Sequence, residues 1–431
     1  MLYPSFAINV LAANDDYAEL GDTYSSGYHP PYHSNLSDQT IECIDNNVNI
    51  NGIDVTKLSS PNHRDLINEL QSTESEDGEP QHNALVNNLN LDKNLVNICA
   101  NLNLNDQTLI VEQPPGAGAE NIYVLWIDES NGGDEDIFFT VSNDNGQTFA
   151  LPTDLSDNAG DSFEPQMIVS GNNVYVVWLD ESTGGETNIF FTVSNDNGQT
   201  FDPPTDLSKN ASFSENQQMI VSGNNVYVVW RDESNGGDTD ILFTVSNDNG
   251  QTFVDPPIDL SNNDEGSSGQ QMIVSGNNVY VVWQDEGNGP DRDIFFTVSN
   301  DNGQTFDPPI DLSNNAEDSF GQQMIVSGNN VYVVWGDVSN GGDEDIFFTV
   351  SNDNGQTFVD PPTDLSNNPG GTGHQQMIVS GNNVYVVWQN SGNDDDIFFT
   401  VSNDNGQTFV DPPIDLSKND DNSENPQMIV Q

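Results

Sequence analysis

Basic residues are the scarcest feature of this sequence. Seven lysines and arginines stand against 69 aspartates and glutamates, which gives a net charge of −62 over 431 residues. Nucleic acids and anionic membrane surfaces are bound through Lys and Arg, so this composition excludes nucleic acid as a partner. The field of so acidic a chain favours cations, high solubility or a salty medium that screens its self-repulsion.

Long apolar runs and cysteines are also lacking. No stretch approaches the roughly 20 apolar residues of a membrane helix, so no transmembrane segment is predicted. The first residues, MLYPSFAINVLAA, end in small side chains like a secretory signal but carry no preceding basic residue. A signal peptide and a disordered tail both remain open there. Cys43 and Cys99 form one possible pair, which says little about the redox compartment.

A repeated stretch organises the rest of the chain. The eight letters SNDNGQTF begin at Ser142 and recur unchanged five more times, at starts 52, 52, 53, 52 and 51 residues apart. The later copies begin at Ser194, Ser246, Ser299, Ser351 and Ser402. Self-similarity with a period near fifty is typical of propellers or solenoids.

The repeated stretch has the composition of a turn. Gly146 can adopt positive φ, and the neighbouring Asn and Asp side chains bond nearby backbone amides. The preceding IFFTVS is predicted to be a strand, and Phe149 is expected to open the next strand and anchor the turn on the core. Asp144 is best placed to accept hydrogen bonds within the turn. A structural role is favoured over a catalytic one, because one active site needs different groups that converge.

The pattern Ser-x-Asp-x-Gly-x-Thr-aromatic resembles the Asp-box, or bacterial neuraminidase repeat, of sialidase-like β-propellers. The resemblance covers about residues 109 to 431 and implies that the box joins the third and fourth strands of a blade, away from the active-site face. Hydrolases, receptors and assembly factors all carry the motif, so it implies a fold and no particular chemistry. The structural box residues are Asp144, Gly146, Asp196, Gly198, Asp248, Gly250, Asp301, Gly303, Asp353, Gly355, Asp404 and Gly406.

The strand pattern predicts an all-β fold, a six-bladed β-propeller of four-stranded antiparallel blades. Stretches such as VYVVW, Val174 to Trp178, are apolar at every position, which suits strands buried on both faces of stacked sheets. The Asp-Pro-Pro segment that comes after the Asp-box predicts an outer edge strand, since proline cannot donate a hydrogen bond to a sheet ladder. Residues 106–431 are therefore assigned to the six-repeat propeller. Residues 1–105 are Asn-rich and predicted to be a poorly ordered or loosely packed extension.

The MIV-type strand occurs seven times against six copies of the others, from Leu109–Val111 to Met428–Val430. The last copy either closes a ring by pairing into the first blade or begins a seventh unit. Closure at six is favoured, because an open array would leave apolar faces exposed.

Strand order predicts that each blade has two different ends. The SGNN turn and the Asp-box share one end and are nearly uniform between repeats. The acidic loop and the inter-blade linker share the other end and vary, as in Ser208 to Gln218 against Ser366 to Gln376. Uniformity suits structural turns and variation suits a binding surface, so the variable face is the predicted functional face.

The acidic loops DESNGGDED and DESNGGDTD suggest a metal, because closely spaced carboxylates with Gly suit Ca²⁺. The candidate ligands are Asp128, Asp134, Asp136, Asp232, Asp238 and Asp240. The spacing does not fit an EF-hand, and solvated hairpin loops of an acidic protein are the preferred interpretation. No other cofactor is predicted.

Sialidase activity is not expected, although the resemblance implies an arginine triad, a Tyr nucleophile with Glu, and an acid Asp. The repeats hold Arg231 and Arg292 alone, and their tyrosines are all the repeated strand residue. We therefore expect a non-enzymatic, extracellular or cell-surface propeller that binds a protein, glycan or cation. The alternative is a glycoside hydrolase of non-sialidase type that uses two carboxylates on the variable face. No catalytic residue is assigned.

Overall fold

The computed structural model describes a set of ranges that covers most of the repeat region and some strands before it. These are residues 34–36, 39–44, 47–50, 53–54, 107–112, 121–129, 133–182, 186–209, 212–233, 238–261, 265–286, 291–315, 317–339, 343–366, 370–391, 395–418 and 421–430. The described residues fall into two compact units, one within 183–190 and 206–431 and the other within 16–182 and 191–205.

Seven four-stranded antiparallel sheets account for the described strands. The first contains β1 Ser34–Leu36, β2 Gln39–Ile44, β3 Asn47–Ile50 and β4 Ile53–Asp54, in that order. Apart from these four strands, the residues of 1–105 that are predicted to be poorly ordered or loosely packed lie outside the described residues. The six sheets after it coincide with the six repeats, and we number them blades 1 to 6.

Each blade has its strands in chain order across the sheet. Blade 1 has β5 Gln107–Glu112, β6 Asn121–Asp128, β7 Asp136–Ser142 and β8 Thr153–Asp154. Blade 2 has β9 Ser162–Ser170, β10 Asn173–Asp180, β11 Asn188–Ser194 and β12 Thr205–Asp206. Blade 3 has β13 Ser214–Ser222, β14 Asn225–Asp232, β15 Asp240–Ser246 and β16 Ile258–Asp259.

The last three blades repeat the arrangement. Blade 4 has β17 Ser267–Ser275, β18 Asn278–Asp285, β19 Asp293–Ser299 and β20 Ile310–Asp311. Blade 5 has β21 Ser319–Ser327, β22 Asn330–Asp337, β23 Asp345–Ser351 and β24 Thr363–Asp364. Blade 6 has β25 Gly371–Ser380, β26 Asn383–Ser391, β27 Asp395–Ser402 and β28 Ile414–Asp415. The prediction of an all-β chain with six four-stranded propeller blades is confirmed.

The second strand of each blade contains a deeply buried apolar run. Val174 to Trp178 of β10 are all 0% exposed, as expected for an apolar run covered on both faces. The equivalent strands of blades 3 and 4 face each other across one interface. Tyr227 and Val229 of blade 3 lie in one apolar cluster with Val279, Val281 and Trp283 of blade 4. Stacking of blade on blade therefore supplies the core.

The fourth strand of each blade is only two residues long. In blade 3 it is Ile258–Asp259, which follows Asp255, Pro256 and Pro257 and pairs with Phe243 and Leu242. The prolines keep the preceding backbone out of the ladder, which confirms the outer edge strand. The expectation that Phe149 opens this strand is wrong, because β8 begins four residues later at Thr153. Ala150, Leu151 and Pro152 lie between them, and the proline lacks the N–H that a sheet ladder needs.

A β-bulge shapes the first strand of blades 2 to 6, and from blade 3 to blade 6 it helps join one blade to the next. In blade 3 the register of β13 shifts between Glu215 and Gln218, and Asn216 takes a positive φ of 56°. The Asn216 carbonyl then accepts a 2.5 Å hydrogen bond from Nε2 of Gln270 in blade 4. The extra residue of a bulge redirects the chain and frees backbone groups for such contacts.

A second glutamine completes the link between blades 3 and 4, between blades 4 and 5 and between blades 5 and 6. Oε1 of Gln218 in blade 3 accepts from the backbone N–H of Met272 in blade 4 at 2.7 Å. Gln271 and Gln323 hold Met324 and Met377 of the following blades in the same way, at 3.1 and 3.2 Å. Apolar stacking alone would let sheets slide, whereas these bonds fix the register of one blade on the next.

We expect Gln218→Ala to destabilise the fold by about 1–2 kcal/mol, because the buried N–H of Met272 loses its acceptor. The measurement is the urea midpoint of the full chain. Gln407→Ala, at an exposed glutamine of the blade 6 box, is the control and should leave the midpoint unchanged. Equal midpoints for the two variants would contradict a structural role for Gln218.

The segment 421–430 continues the link pattern beyond blade 6. The backbone N–H of Met428 donates to Oε1 of Gln376 at 3.1 Å, and that of Ser423 donates to the Asp395 carbonyl at 2.6 Å. These are the bonds that earlier first strands make to the blade before them, such as Ser267 to Thr239. The seventh MIV copy thus lies on blade 6 as a first strand would. Its pairing into the first blade stays a prediction.

Candidate functional site

The two ends of each blade are chemically distinct, as strand order predicts. In blade 4 the backbone N–H of Asn302 in the Asp-box donates to the carbonyl of Asn277 in the SGNN turn at 2.9 Å. We call this the box end. At the other end the N–H of Ser319, which opens blade 5, donates to the carbonyl of Arg292 in the acidic loop of blade 4 at 2.7 Å. We call this the loop end.

The Asp-box is a closed hydrogen-bonded turn. Oδ1 of Asp144 accepts from the Ser142 hydroxyl and the Thr148 amide, both at 2.8 Å, and Oδ2 accepts from the Thr148 hydroxyl at 2.7 Å. The Gly146 amide donates in turn to Ser142 Oγ at 2.9 Å. The same bonds recur around Asp196, Asp248, Asp301, Asp353 and Asp404. The turn therefore uses the acid to hold its own backbone.

Donated hydrogen bonds keep the box acids ionised. The hydroxyl of Thr200 lowers the pKa of Asp196 to about 2, and that of Thr408 does the same for Asp404. The pKa of Asp248 is also lowered, although burial opposes the shift, because the bonds from Thr252 and Ser246 outweigh it. A carboxylate fully engaged by neutral donors is a structural group and a poor proton donor near neutral pH.

The box also packs one blade on the previous one. Phe306 of the blade 4 box meets Phe243 of blade 3 edge to face, with ring centroids 4.9 Å apart. Gly303, at φ 77°, leaves room for Phe243, whose Cζ would lie 2.7 Å from an added Cβ. The expectation that Phe149 anchors its turn on the core is wrong, because Phe149 is 38% exposed. The anchoring found in later blades is between blades.

Buried aspartates terminate the second strands at the loop end. Asp285, 1% exposed, accepts from the Trp283 indole N–H at 2.9 Å and from the Ser267 hydroxyl at 2.8 Å. Asp180, Asp232 and Asp337 accept from the equivalent tryptophans at 3.1 to 3.2 Å. Blade 6 has Asn390 there instead, and the indole nitrogen of Trp388 has no hydrogen-bond partner in the described part of the chain.

Four of the six predicted metal ligands lie opposite one another across two hairpins. Asp128 pairs with Asp136, and Asp232 pairs with Asp240. Ser156 donates to Asp136 at 3.1 Å, and Ser214 donates to Asp232 at 2.7 Å. Burial, aided by Asp154, raises the pKa of Asp136. These carboxylates already accept hydrogen bonds that hold the ends of the hairpins.

The other two predicted ligands, Asp134 and Asp238, lie in the loops just before Asp136 and Asp240, and Asp238 is exposed. Within the described ranges, no group of three or more His, Cys, Asp or Glu side chains is arranged to hold a metal ion. Calcium binding at these loops stays a prediction.

Side-chain pairs that differ from blade to blade stand at the loop end, where the first and second strands face each other. The pair is Phe163 with Leu179 in blade 2, Glu215 with Arg231 in blade 3, Ser268 with Gln284 in blade 4, Phe320 with Gly336 in blade 5 and Gly373 with Gln389 in blade 6. In blade 3 the pair is a salt bridge. The scaffold therefore repeats while the side chains it presents do not.

At the loop end of blades 4 and 5, side chains of the two neighbouring blades contact each other. The Arg292 guanidinium of blade 4 lies over the Phe320 ring of blade 5, 6.0 Å from its centroid. Its Nε is 3.5 Å from Oδ1 of Asp318, so the guanidinium is held in place while it stays 37% exposed. Arg292 and Phe320 thus pair a cation with an aromatic face at the surface.

Glu344 extends this group along blade 5. An added Cβ on Gly336 would lie 2.6 Å from Glu344 Oε1 and 3.1 Å from Phe320 Cε2, so the glycine lets both side chains lie on the strand. On the other side, Glu344 Oε1 is 3.6 Å from the Cβ position of Gly373 in blade 6. We call Arg292, Phe320, Gly336, Glu344 and Gly373 the Arg292–Glu344 group.

The Glu344 carboxyl is unusual among the acids of the repeats. Burial raises its pKa to about 7 from an ordinary 4.5, and the adjacent Asp345 adds to the rise. No described residue donates a hydrogen bond to this carboxyl. A half-buried polar group without a partner is one that a bound molecule would satisfy.

We expect the free energy of unfolding to fall as pH rises from about 4.5 to about 7, partly because of Glu344. A carboxyl whose pKa is raised by folding stabilises the folded state below its unfolded value and ceases to do so above its folded value. Glu344→Gln should remove this component and be more stable than the native chain at pH 8 by about 1 kcal/mol, allowing for solvent screening.

Urea titrations of both chains at pH 4.5 and pH 8 measure this difference. Asp293, whose pKa burial raises to about 6, titrates in both chains and so cancels. Glu317→Gln, at an exposed glutamate of the linker before blade 5, controls for the loss of one charge. A pH-independent difference between Glu344→Gln and the native chain would contradict the prediction.

The sequence did carry a signal for the Arg292–Glu344 group that was missed. Aligned by repeat, the residue two positions before the isoleucine of the third strand is Glu135, Thr187, Thr239, Arg292, Glu344 and Asp395 in blades 1 to 6. That variation was visible in the repeats, but the contacts with the next blade were not. The tyrosines behave as expected: Tyr280 is buried, and its hydroxyl accepts from Asn278 at 2.9 Å at the box end.

Comparison with known proteins bears on the fold. Residues 119–333 match the BNR repeat-like domain. The chain carries that domain, and the resemblance to sialidase-like Asp-box proteins is confirmed. A search of curated proteins found no match.

Three solved structures illustrate the structural likeness. A polysaccharide lyase, an ulvan lyase, is 16% identical with a TM-score of 0.42, over 70% of this chain and 82% of the lyase. A Trypanosoma rangeli sialidase is 14% identical with a TM-score of 0.33, over 68% of this chain and 54% of the sialidase. A Dyadobacter fermentans protein of unknown function is 14% identical with a TM-score of 0.36, over 69% and 97%. Likenesses at this level carry no argument about function.

Proposed function

We propose that this chain, which carries a BNR repeat-like domain of the sialidase-like kind, is a non-catalytic propeller that binds a glycan at its loop end. The observation that supports this is the set of loop-end side-chain pairs of blades 3 to 5, which differ from one another on a repeated scaffold. Glu215 with Arg231, Ser268 with Gln284 and Phe320 with Gly336 differ in chemistry at one backbone position. Such variation on a rigid frame is typical of a recognition surface.

Glycans fit this surface better than the other two ligand classes we considered. The loop end offers amide, carboxyl and guanidinium groups beside partly exposed aromatic rings, which is the mixture that sugar hydroxyls and C–H faces need. A cation ligand would need converging oxygen donors, and the carboxylates of the second strands already accept from Trp and Ser. A protein partner would need a broad apolar patch or many hot-spot residues.

The test is binding of the full chain to a panel of neutral and anionic oligosaccharides by calorimetry, with CaCl₂ alone as a separate titrant. We expect binding to at least one oligosaccharide and no heat with calcium. Heat with calcium accompanied by a raised melting temperature would favour the cation ligand and the acidic loops. Absence of binding to every oligosaccharide would overturn the glycan proposal.

A second candidate, a glycoside hydrolase of non-sialidase type, is favoured by one observation. The Glu344 carboxyl has a pKa of about 7 because it is buried, which is the property of a catalytic acid. This reading predicts hydrolysis of some aryl glycoside, abolished in Glu344→Gln. Lack of turnover of the whole panel, with the native chain folded, would leave the binding function in place.

We also propose an extracellular or cell-surface location. The strongly acidic composition supports this, because a salty medium would screen the self-repulsion of so many carboxylates. Among the residues that the structure describes, no helix is long and apolar enough to cross a bilayer. Fractionation of cells that express the full chain would test the location, and recovery in the cytosol alone would contradict it.

A further inference from the structure

We propose that the Arg292–Glu344 group is a sugar-binding subsite that takes one neutral pyranose ring. The inference rests on the proposed glycan-binding function and specifies where it acts. It begins from three different side chains that lie together at one strand end. Arg292 comes from blade 4, and Phe320 and Glu344 come from blade 5.

The aromatic ring supplies the apolar contact. Phe320 is partly exposed, and the Arg292 guanidinium lies 6.0 Å from its centroid. A pyranose ring presents a C–H face that packs against such an aromatic edge or face while its hydroxyls point outward. Gly336 pairs with Phe320 on the neighbouring strand, and it has no side chain that would cover this strand end. A larger side chain there would displace Glu344 and Phe320 together.

Two polar groups flank the ring at defined positions. Arg292 is restrained by Asp318 at 3.5 Å and still exposes part of its guanidinium, which donates to hydroxyl oxygens. Glu344 lies on the Gly336 side, and no described residue donates a hydrogen bond to its carboxyl. A sugar hydroxyl would supply the missing partner, since a hydroxyl both donates and accepts.

The absence of a side chain at position 373 opens the subsite toward blade 6. The equivalent residues of blades 2 to 5 are Phe163, Glu215, Ser268 and Phe320, whereas blade 6 has Gly373. An added Cβ at Gly373 meets nothing nearer than Glu344 Oε1 at 3.6 Å, so the carboxyl is uncovered on this side. The position tolerates a large residue in other blades, so glycine here is not demanded by the fold.

Charge selects a neutral sugar over an anionic one. The chain carries a net charge of −62, which repels sulfated and uronate polymers over the range of the Debye length. Within the subsite, Arg292 is already balanced by Asp318. A neutral pyranose gains the ring contact and hydrogen bonds without that repulsion.

The experiment uses calorimetry of the full chain with neutral tetrasaccharides of glucose, mannose, galactose and xylose, and with oligogalacturonate as the anionic probe. We expect the native chain to bind a neutral tetrasaccharide. Phe320→Ala and Glu344→Ala should each weaken that binding at least about tenfold, the size of a lost ring contact or hydrogen-bond partner. Glu344→Gln should stay within about threefold, because an amide also donates and accepts.

The same strand positions in other blades provide matched controls. Phe163→Ala repeats the Phe320 change in blade 2, and Glu135→Ala repeats the Glu344 change in blade 1, and both should leave the dissociation constant within twofold. Gly373→Phe introduces a residue that this strand position accepts in blades 2 and 5, and it should block binding while the melting temperature stays unchanged.

The outcomes separate the two levels of the proposal. Native binding that is unaffected by Phe320→Ala and Gly373→Phe, or that Phe163→Ala weakens equally, would overturn the subsite and leave glycan binding at the loop end intact. Binding of oligogalacturonate alone would overturn the assignment to neutral sugars. A native chain that binds none of the sugars would overturn the proposed function and the subsite together.

Discussion

Substitution of Gly303 by alanine is expected to lower the stability of the chain by about 2–4 kcal/mol, one of the largest effects of any single methyl group in this fold. Two causes add. Gly303 has a φ of 77°, where an L-residue is strained. An added Cβ would also lie 2.7 Å from Cζ of Phe243, a fully buried ring of the previous blade.

Gly276→Ala is the matched control, because it separates strain from collision. Gly276 lies in the SGNN turn of the same blade at φ 63°, and an added Cβ meets nothing within 4 Å. We expect it to cost only about 1 kcal/mol, the penalty of the left-handed backbone. Urea midpoints of both variants measure the difference. Equal losses would show that the Phe243 contact contributes nothing and that the box glycine serves the turn alone.

Replacement of Asp285 by alanine is expected to cost about 3–5 kcal/mol. The carboxylate is 1% exposed and accepts from the Trp283 indole and the Ser267 hydroxyl, both of which are 0% exposed. Alanine would leave both donors buried without an acceptor, and a cavity beside them. The loss should appear as a lower urea midpoint and a lower melting temperature.

Blade 6 provides a natural comparison for the same position. Asn390 stands there, and the Trp388 indole nitrogen is without a partner among the described residues. We therefore expect Asp285→Asn to be destabilising, by less than Asp285→Ala, because the amide keeps the volume and loses one acceptor oxygen. Glu317→Gln removes the same single negative charge at an exposed position, and it should leave the urea midpoint unchanged. Wild-type stability of Asp285→Asn would contradict the role of the carboxylate.

The structural half of the molecule was readable from the repeats, because it depends on local chemistry. Asp144, Thr148 and Gly146 lie within five residues of one another, so the box turn needs no distant partner. The buried strand Val174 to Trp178 was equally plain from its unbroken apolar run. The Phe149 expectation failed because the partner of a box phenylalanine is a ring of another blade, some sixty residues away in the case of Phe201 and Phe139.

The candidate site was not readable in the same way. Arg292, Phe320 and Glu344 are separated by 28 and 24 residues and look like ordinary loop and strand residues in the sequence. Their meeting depends on the stagger of one blade on the next, which the glutamine links set. The raised pKa of Glu344 depends in turn on its burial over Gly336.

By itself, the amino-acid order determined the six blades, their strand sequence and the uniform box end, because turns and strands are specified by neighbours along the chain. Tertiary stacking alone decided which side chains of blades 4 to 6 meet at the loop end and which carboxyl loses its water. Desolvation and inter-blade contact are properties of surfaces brought together in space, and no local pattern encodes them.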